Sequence, residues 1–179
     1  SKIIHEIKPE LKEQKTYLDK IKILNHFIYF IHNFMVISPK EETNWGGNIS
    51  TVLAQKKGNY IITSIIYAGI AQALRLPVAG IQLPNSILLS CESHLSDTVA
   101  KKKRSYFYIN PIDNGAVLSP IQLEHVIKFK KLNNLSQYYK PSNNLNLIKL
   151  LIQNQIFCYG RQSNYKNVEI LKGLLNVLL

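Results

Sequence analysis

The sequence has few of the residues that build disulfide scaffolds or metal sites. Its 179 residues contain two cysteines, Cys91 and Cys158, which lie far apart without any framework spacing. We therefore expect reduced thiols and a cytoplasmic protein. The five histidines are scattered along the chain, and Cys91 with His94 supplies only two of the four ligands that a structural zinc needs. No metal site and no cofactor is predicted.

Arginine is also scarce, which bears on the choice of partner. Lys and Arg total 22 against 11 Asp and Glu, a net charge of +11, yet only three of the basic residues are arginines. Lysine lacks the planar fork that reads phosphate groups. We therefore interpret the basic run as a solvated hairpin tip and keep weak nucleic-acid binding through it as an alternative. This basic loop consists of Lys101, Lys102, Lys103 and Arg104.

The sequence lacks an apolar run long enough for a membrane. The uncharged stretch 58–74 is interrupted by polar residues such as Asn59 and Gln72 and is followed by Pro77, whereas a span needs about 20 predominantly apolar residues. It is more simply a buried central helix that begins after Asn59, a good capping residue. The N-terminal stretch is too charged for a secretory signal. We expect no membrane association.

The remaining patterns predict an α+β fold. Apolar residues from Tyr17 to Met35 recur with helical spacing, and a short helix stops at Gly58. Three β-prone segments then follow, VAGIQL, SILLSC and SYFYIN, with a last strand at 116–118. Together they predict a small antiparallel sheet. Ser119, Pro120 and Gln122 have the spacing of a capping box that begins another helix.

The C-terminal segment has a different organisation from the rest. Two amphipathic stretches are joined by YGRQSNY, which predicts a helical hairpin whose apolar faces need a partner surface. We therefore divide the chain into a main domain, 1–140, with N-terminal helices and the sheet, and a hairpin, 141–179, docked on it.

The order and spacing of several motifs resemble the transglutaminase-like superfamily, in particular its bacterial SirB-type branch. These motifs are a helix opened by Gly-Asn, a Leu-Pro before the strand GIQLP, the strand LLS, and FYINP followed by NG. The resemblance covers 17–131, and the tail resembles the tetratricopeptide-like hairpin that follows in that group. It implies a papain-like core, with a buried central helix against a small antiparallel sheet and helices at both ends.

The resemblance also implies where a catalytic triad would lie. In the family a cysteine sits at the N-terminus of the buried helix, where the helix dipole favours a thiolate. A histidine on the second strand and an aspartate on the third assist it. The matching positions here are Tyr60, Ser86 and Asn110. A phenol is a poor nucleophile at neutral pH and serine is no general base, so the chain is predicted to keep the fold without the chemistry.

Two classes of function follow from these residues. The first is a catalytically inactive protein-interaction or ligand-binding module, whose cleft would involve Asn59, Trp45, Asn85 and Asp113 and whose partner would be another protein.

The second class is a residual hydrolase or transamidase with an unrecognised site. Its candidate groups are Cys91, Ser64, His94 and Asp113. It would need a thiol unusually reactive for a strand residue, so we favour the first class.

Overall fold

A computed structural model describes residues 2–14, 16–37, 47–93, 105–132 and 138–178 of the chain. It has the predicted α+β architecture, a small antiparallel sheet with helices around it. The helices are α1 Lys2–Glu10, α2 Tyr17–Asn25, α3 Ile49–Gln55, α4 Tyr60–Ala73, α5 Pro120–Phe129, α6 Asn144–Arg161 and α7 Tyr165–Val177. The strands are β1 Met35–Val36, β2 Lys57–Gly58, β3 Val78–Leu83, β4 Ser86–Ser93, β5 Ser105–Asn110 and β6 Ala116–Leu118.

The main sheet is an antiparallel meander in the order β3-β4-β5-β6. β3 and β4 form a hairpin in which Leu83 is opposite Ser86 and Val78 is opposite Cys91. β5 pairs with β4 and then with β6, where Asn110 is opposite Ala116. All four strands were predicted from the sequence, and the bounds of β3, β5 and β6 agree residue for residue.

The two faces of this sheet bury different helices. Ile87, Leu89 and Ile109 belong to the main core, which includes much of α4. Their strand neighbours Leu88 and Tyr108 belong to a smaller core with the apolar side of α5. This division is the period-2 alternation expected of a sheet covered on both faces.

Local capping signals begin the helices where the sequence predicted. The Asn59 side chain caps α4, which is apolar on nearly every side and buried along most of its length. The Ser119 side chain accepts from the Gln122 amide, and the Gln122 side chain accepts from the Ser119 amide, which completes the predicted capping box of α5. Within the described residues, none of the helices is both long enough and apolar enough to cross a bilayer.

The first long helix differs from its prediction. α2 continues into a π-helical turn, His26–Ile31, and the chain then leaves the helix through Asn33, whose φ is 52°. Met35, predicted as a helical apolar residue, lies on β1 and is 55% exposed. β1 pairs in parallel with β2, and that pairing joins segments with no shared local pattern.

The C-terminal hairpin packs against the central helix. Leu147 of α6 is buried in the main core, and a Cβ on Gly80 of β3 would collide with its side chain. Ser142 also donates a backbone hydrogen bond to Gly80, at 2.6 Å. Helix α6 of the hairpin therefore shares one hydrophobic core with the sheet and α4.

Candidate functional site

The N-terminus of α4 is capped by the side chain of Asn59. Asn59 is 1% exposed, and its Oδ1 accepts hydrogen bonds from the amides of Ile61 and Ile62 at 3.1 and 3.0 Å. Its Nδ2 donates to Oδ1 of Asn154 on α6 at 2.9 Å. Two of the first-turn amides that a helix N-terminus could offer to a developing negative charge are therefore occupied within the protein.

Tyr60 occupies the first position of α4. It is partly buried and packs against the main core. Its backbone carbonyl accepts the hydroxyl of Ser64 at 2.7 Å, and the carbonyl of Asn59 accepts that of Thr63 at 2.8 Å. The polar side chains of this turn are thus bonded to the helix backbone.

Ser86 and Asn110 lie at one end of the sheet on neighbouring strands. Ser86 is 7% exposed, and its Oγ has no hydrogen-bond partner within the described residues. Asn110 Oδ1 accepts from the Ile112 amide at 3.3 Å and caps the 3₁₀ turn Pro111–Asp113. Asn110 therefore serves the local turn and orients no side chain that the structure describes.

The N-terminus of α4 lies at this same end of the sheet. The segment between α4 and β3 is short, so the C-terminus of α4 is beside Val78, and β3 then runs back along the helix. A helix of about 14 residues and a strand of about six have the same length, near 20 Å. Tyr60 is therefore level with the end of the sheet that contains Ser86 and Asn110.

The side chains at this end point to different faces. Because successive side chains of a strand point to opposite faces of the sheet, Ser86 points to the same face as Leu88, and Asn110 to the same face as Tyr108. Leu88 and Tyr108 pack in the smaller core with α5, so this is the face covered by α5. The neighbouring residues that face α4 are Ile87 and Ile109, both fully buried. Strands β4 and β5 therefore present aliphatic groups to α4 at this end, and neither an imidazole nor a carboxylate.

The other predicted cleft residues differ in exposure in the described structure. Asn85 is exposed in the β3-β4 turn with φ of 56°, and Asp113 is exposed in the 3₁₀ turn. Asn59 is internal, as described above. Trp45, His94 and the basic loop, Lys101–Arg104, lie outside the described residues.

Cys91, a candidate for residual chemistry, is poorly suited to act as a nucleophile. Its side chain is fully buried, and its Sγ donates a weak hydrogen bond to the Glu92 carbonyl at 3.9 Å. Burial, assisted by the nearby Glu92 carboxylate, raises the pKa of the Cys91 thiol to about 12. The thiolate is the reactive form, so a raised pKa disfavours reaction of Cys91 near pH 7.

The described residues also contain no group of three or more His, Cys, Asp or Glu side chains that could hold a metal ion. Ser64, the other described nucleophile candidate, is fully buried with its hydroxyl committed to the helix backbone. Both nucleophile candidates that the structure describes are therefore enclosed within the protein.

The sequence did not point to the α6 residues that complete this site. Asn154 contacts Asn59 from 95 positions away. The next residue, Gln155, is 8% exposed, and a Cβ on Gly47 would collide with its side-chain amide. The sequence offered one weak signal for them, which is that Asn154 and Gln155 are polar residues in a helix predicted to be amphipathic.

The sequence of the chain matches a known family. The model of the transglutaminase-like superfamily matches residues 1–153, most of the chain. The chain belongs to the transglutaminase-like superfamily. The match ends within α6, so it includes Leu147 but stops just before Asn154.

The comparisons also identify a relative of this transglutaminase-like chain. It is 29% identical over 136 residues to UPF0162 protein BU173 of Buchnera aphidicola subsp. Acyrthosiphon pisum (strain APS). The alignment covers 70% of this chain and 46% of that protein, so the chain spans about half the length of its relative. No solved structure is significantly similar to the chain.

Proposed function

We propose that this chain is a catalytically inactive member of the transglutaminase-like superfamily that acts as a protein-interaction or ligand-binding module. The observation that carries the proposal is the N-terminus of α4. There the amides of Ile61 and Ile62 bind Asn59, and the side chains facing α4 from the neighbouring strands are Ile87 and Ile109. A helix end that is capped internally stabilises the fold, and the residues that face it from β4 and β5 are aliphatic and offer no base to activate a nucleophile.

The C-terminal hairpin supports the binding part of the proposal. Along α7, Ile170, Leu174 and Val177 recur on one side and are 60%, 47% and 83% exposed. We call these three residues the α7 stripe. Their spacing is that of anchor residues in helix-to-helix recognition.

Three finer assignments belong to the same proposal. They are membership of the bacterial SirB-type branch, a tetratricopeptide-like character for the α6-α7 hairpin, and a cytoplasmic location. The first two rest on the motif resemblance, and the third on the two buried cysteines, which are not joined in a disulfide.

The proposal is tested by affinity capture with the tagged chain. Nuclease-treated lysate of the source cells is washed at low and high salt, and retained proteins are identified by mass spectrometry. We expect a specific protein to remain at high salt, to be lost with the Ile170→Glu/Val177→Glu variant, and to be kept by Asn176→Glu, which adds a charge elsewhere on α7. If only salt-labile material associated with nucleic acid is captured, the proposal is wrong and the basic-loop alternative is favoured.

A further inference from the structure

Helix α6 is fastened to α4 by side-chain amides at both ends of their contact. At the N-terminus of α4, Asn154 accepts from Asn59 at 2.9 Å. At its C-terminus, Gln72 and Asn144 donate to each other, with distances of 3.1 and 2.8 Å. The two helices are therefore antiparallel, and the same element is held at two separate points.

The surface between these two points is incompletely filled. A groove of about 160 Å³ lies between α4 and α6. A Cβ on Gly69, which is part of its lining, would meet no atom within 4 Å. The groove is lined by Ile65, Ala68, Gly69, Asn144, Leu147 and Ile148. Since dispersion contacts are missing there, the seating of α6 depends more strongly on Leu147 and on the amide pairs.

The bond to Asn154 supports the orientation of the Asn59 carboxamide that caps α4. A carboxamide has one acceptor oxygen and one donor nitrogen. With Nδ2 directed at Asn154, Oδ1 is directed at the amides of Ile61 and Ile62. The opposite orientation would place an NH₂ group against two N–H groups, so the hydrogen-bond network permits only one assignment.

We propose that Asn154 is a latch through which the seating of the C-terminal hairpin controls the capping of α4. While α6 is seated, Asn59 is held in its capping orientation. When the hairpin lifts, Asn59 loses this acceptor for its Nδ2, its capping of α4 weakens, and the first turn of α4 opens more readily. A partner that binds the hairpin would thereby alter the part of the fold that corresponds to the family's catalytic end.

Hydrogen exchange of the full chain tests the latch. The amides of Ile61 and Ile62 are protected by Asn59, so Asn154→Leu, which keeps the size but removes the acceptor, should speed their exchange about fivefold to tenfold, the effect of losing a helix cap. Asn154→Asp keeps an acceptor for Asn59 Nδ2 and should retain the protection. Asn144→Leu, at the other end of α6, should leave these two amides unchanged.

Two results would overturn the latch. One is that Asn154→Leu leaves the exchange rates of the Ile61 and Ile62 amides unchanged, or raises them only as much as it raises the rates of amides throughout the core. The other is Asn144→Leu with the same local increase as Asn154→Leu. The measurement involves neither a partner nor turnover, so a failed latch would leave the proposed binding function standing and can be distinguished from its failure.

Discussion

Replacing Asn59 with alanine should cost far more stability than removing an ordinary helix cap. The change removes an N-cap, worth about 1 kcal/mol with a range of roughly 0.5–2. It also leaves the amides of Ile61 and Ile62 without an acceptor in residues that are 1% exposed, and each such buried donor costs about 1–3 kcal/mol. Allowing for overlap between these effects, we expect a loss of about 2–4 kcal/mol.

The matched control is Ser119→Ala, which removes the cap of α5. Ser119 is exposed, so water can replace it and the loss should remain near 1 kcal/mol. For a chain of this size, 1 kcal/mol shifts Tm by roughly 2–4 °C, so thermal unfolding followed by circular dichroism should separate the two variants. If Asn59→Ala destabilises the protein no more than Ser119→Ala, the buried-cap reasoning is refuted.

Three further predictions concern the stability of the fold. Gly115 has φ of 78°, and an added Cβ would collide with the Asn25 side chain. Gly115→Ala should therefore lower the free energy of unfolding by about 2 kcal/mol or more. Gly173 lies in open space on α7, so Gly173→Ala should raise the free energy of unfolding by roughly 0.5–1 kcal/mol. Tyr67 donates to Asn25 Oδ1 at 2.6 Å, and Asn25 Nδ2 donates to the Gly115 carbonyl at 2.7 Å; urea unfolding of Tyr67→Phe should show a loss of about 1–2 kcal/mol, and an unchanged midpoint would contradict the network. Because the pKa of Cys91 is raised in the folded state, its neutral thiol contributes stability fully below pH 9, and this contribution is lost as the pH rises toward about 12. Cys91→Ala should therefore weaken the fall in the free energy of unfolding over that pH interval. An identical pH profile for the variant would show that Cys91 is not the cause of the fall.

Local chemistry explains why much of the fold was predictable. Asn59 and Ser119 carry their capping signals within three residues of the helices they begin, and β3 and β5 have runs of β-prone residues bounded by turns or charge. These signals depend on near neighbours alone, so a single sequence contains them.

The features that were missed depend on distant partners. The π-helical turn at 26–31 and the parallel pairing of β1 with β2 have no periodic signature of their own, and the periodicity through Met35 predicted a continuing helix. The site was limited in the same way. The Asn59 cap was visible, but its bond to Asn154 joins residues 95 positions apart, and no pattern linked them.

The strand residues that face α4 differ from those that the family motif pointed to. The family motif aligned Ser86 and Asn110 with triad positions, and the register places both residues at the same end of the sheet. Which residues face α4 becomes clear only when the two cores are compared, and they are Ile87 and Ile109. The equivalence of Tyr60, Ser86 and Asn110 with a triad therefore stays a prediction from the resemblance.

The most direct test of the central claim is a transamidation and hydrolysis assay of the purified chain with a glutamine-containing peptide and a fluorescent amine. We expect no turnover above that of a Tyr60→Ala variant, because the described thiol and hydroxyl candidates, Cys91 and Ser64, are fully buried. Turnover by the wild-type chain that is lost in Tyr60→Ala, Cys91→Ala or Ser64→Ala would contradict the claim and show that the protein is an active enzyme.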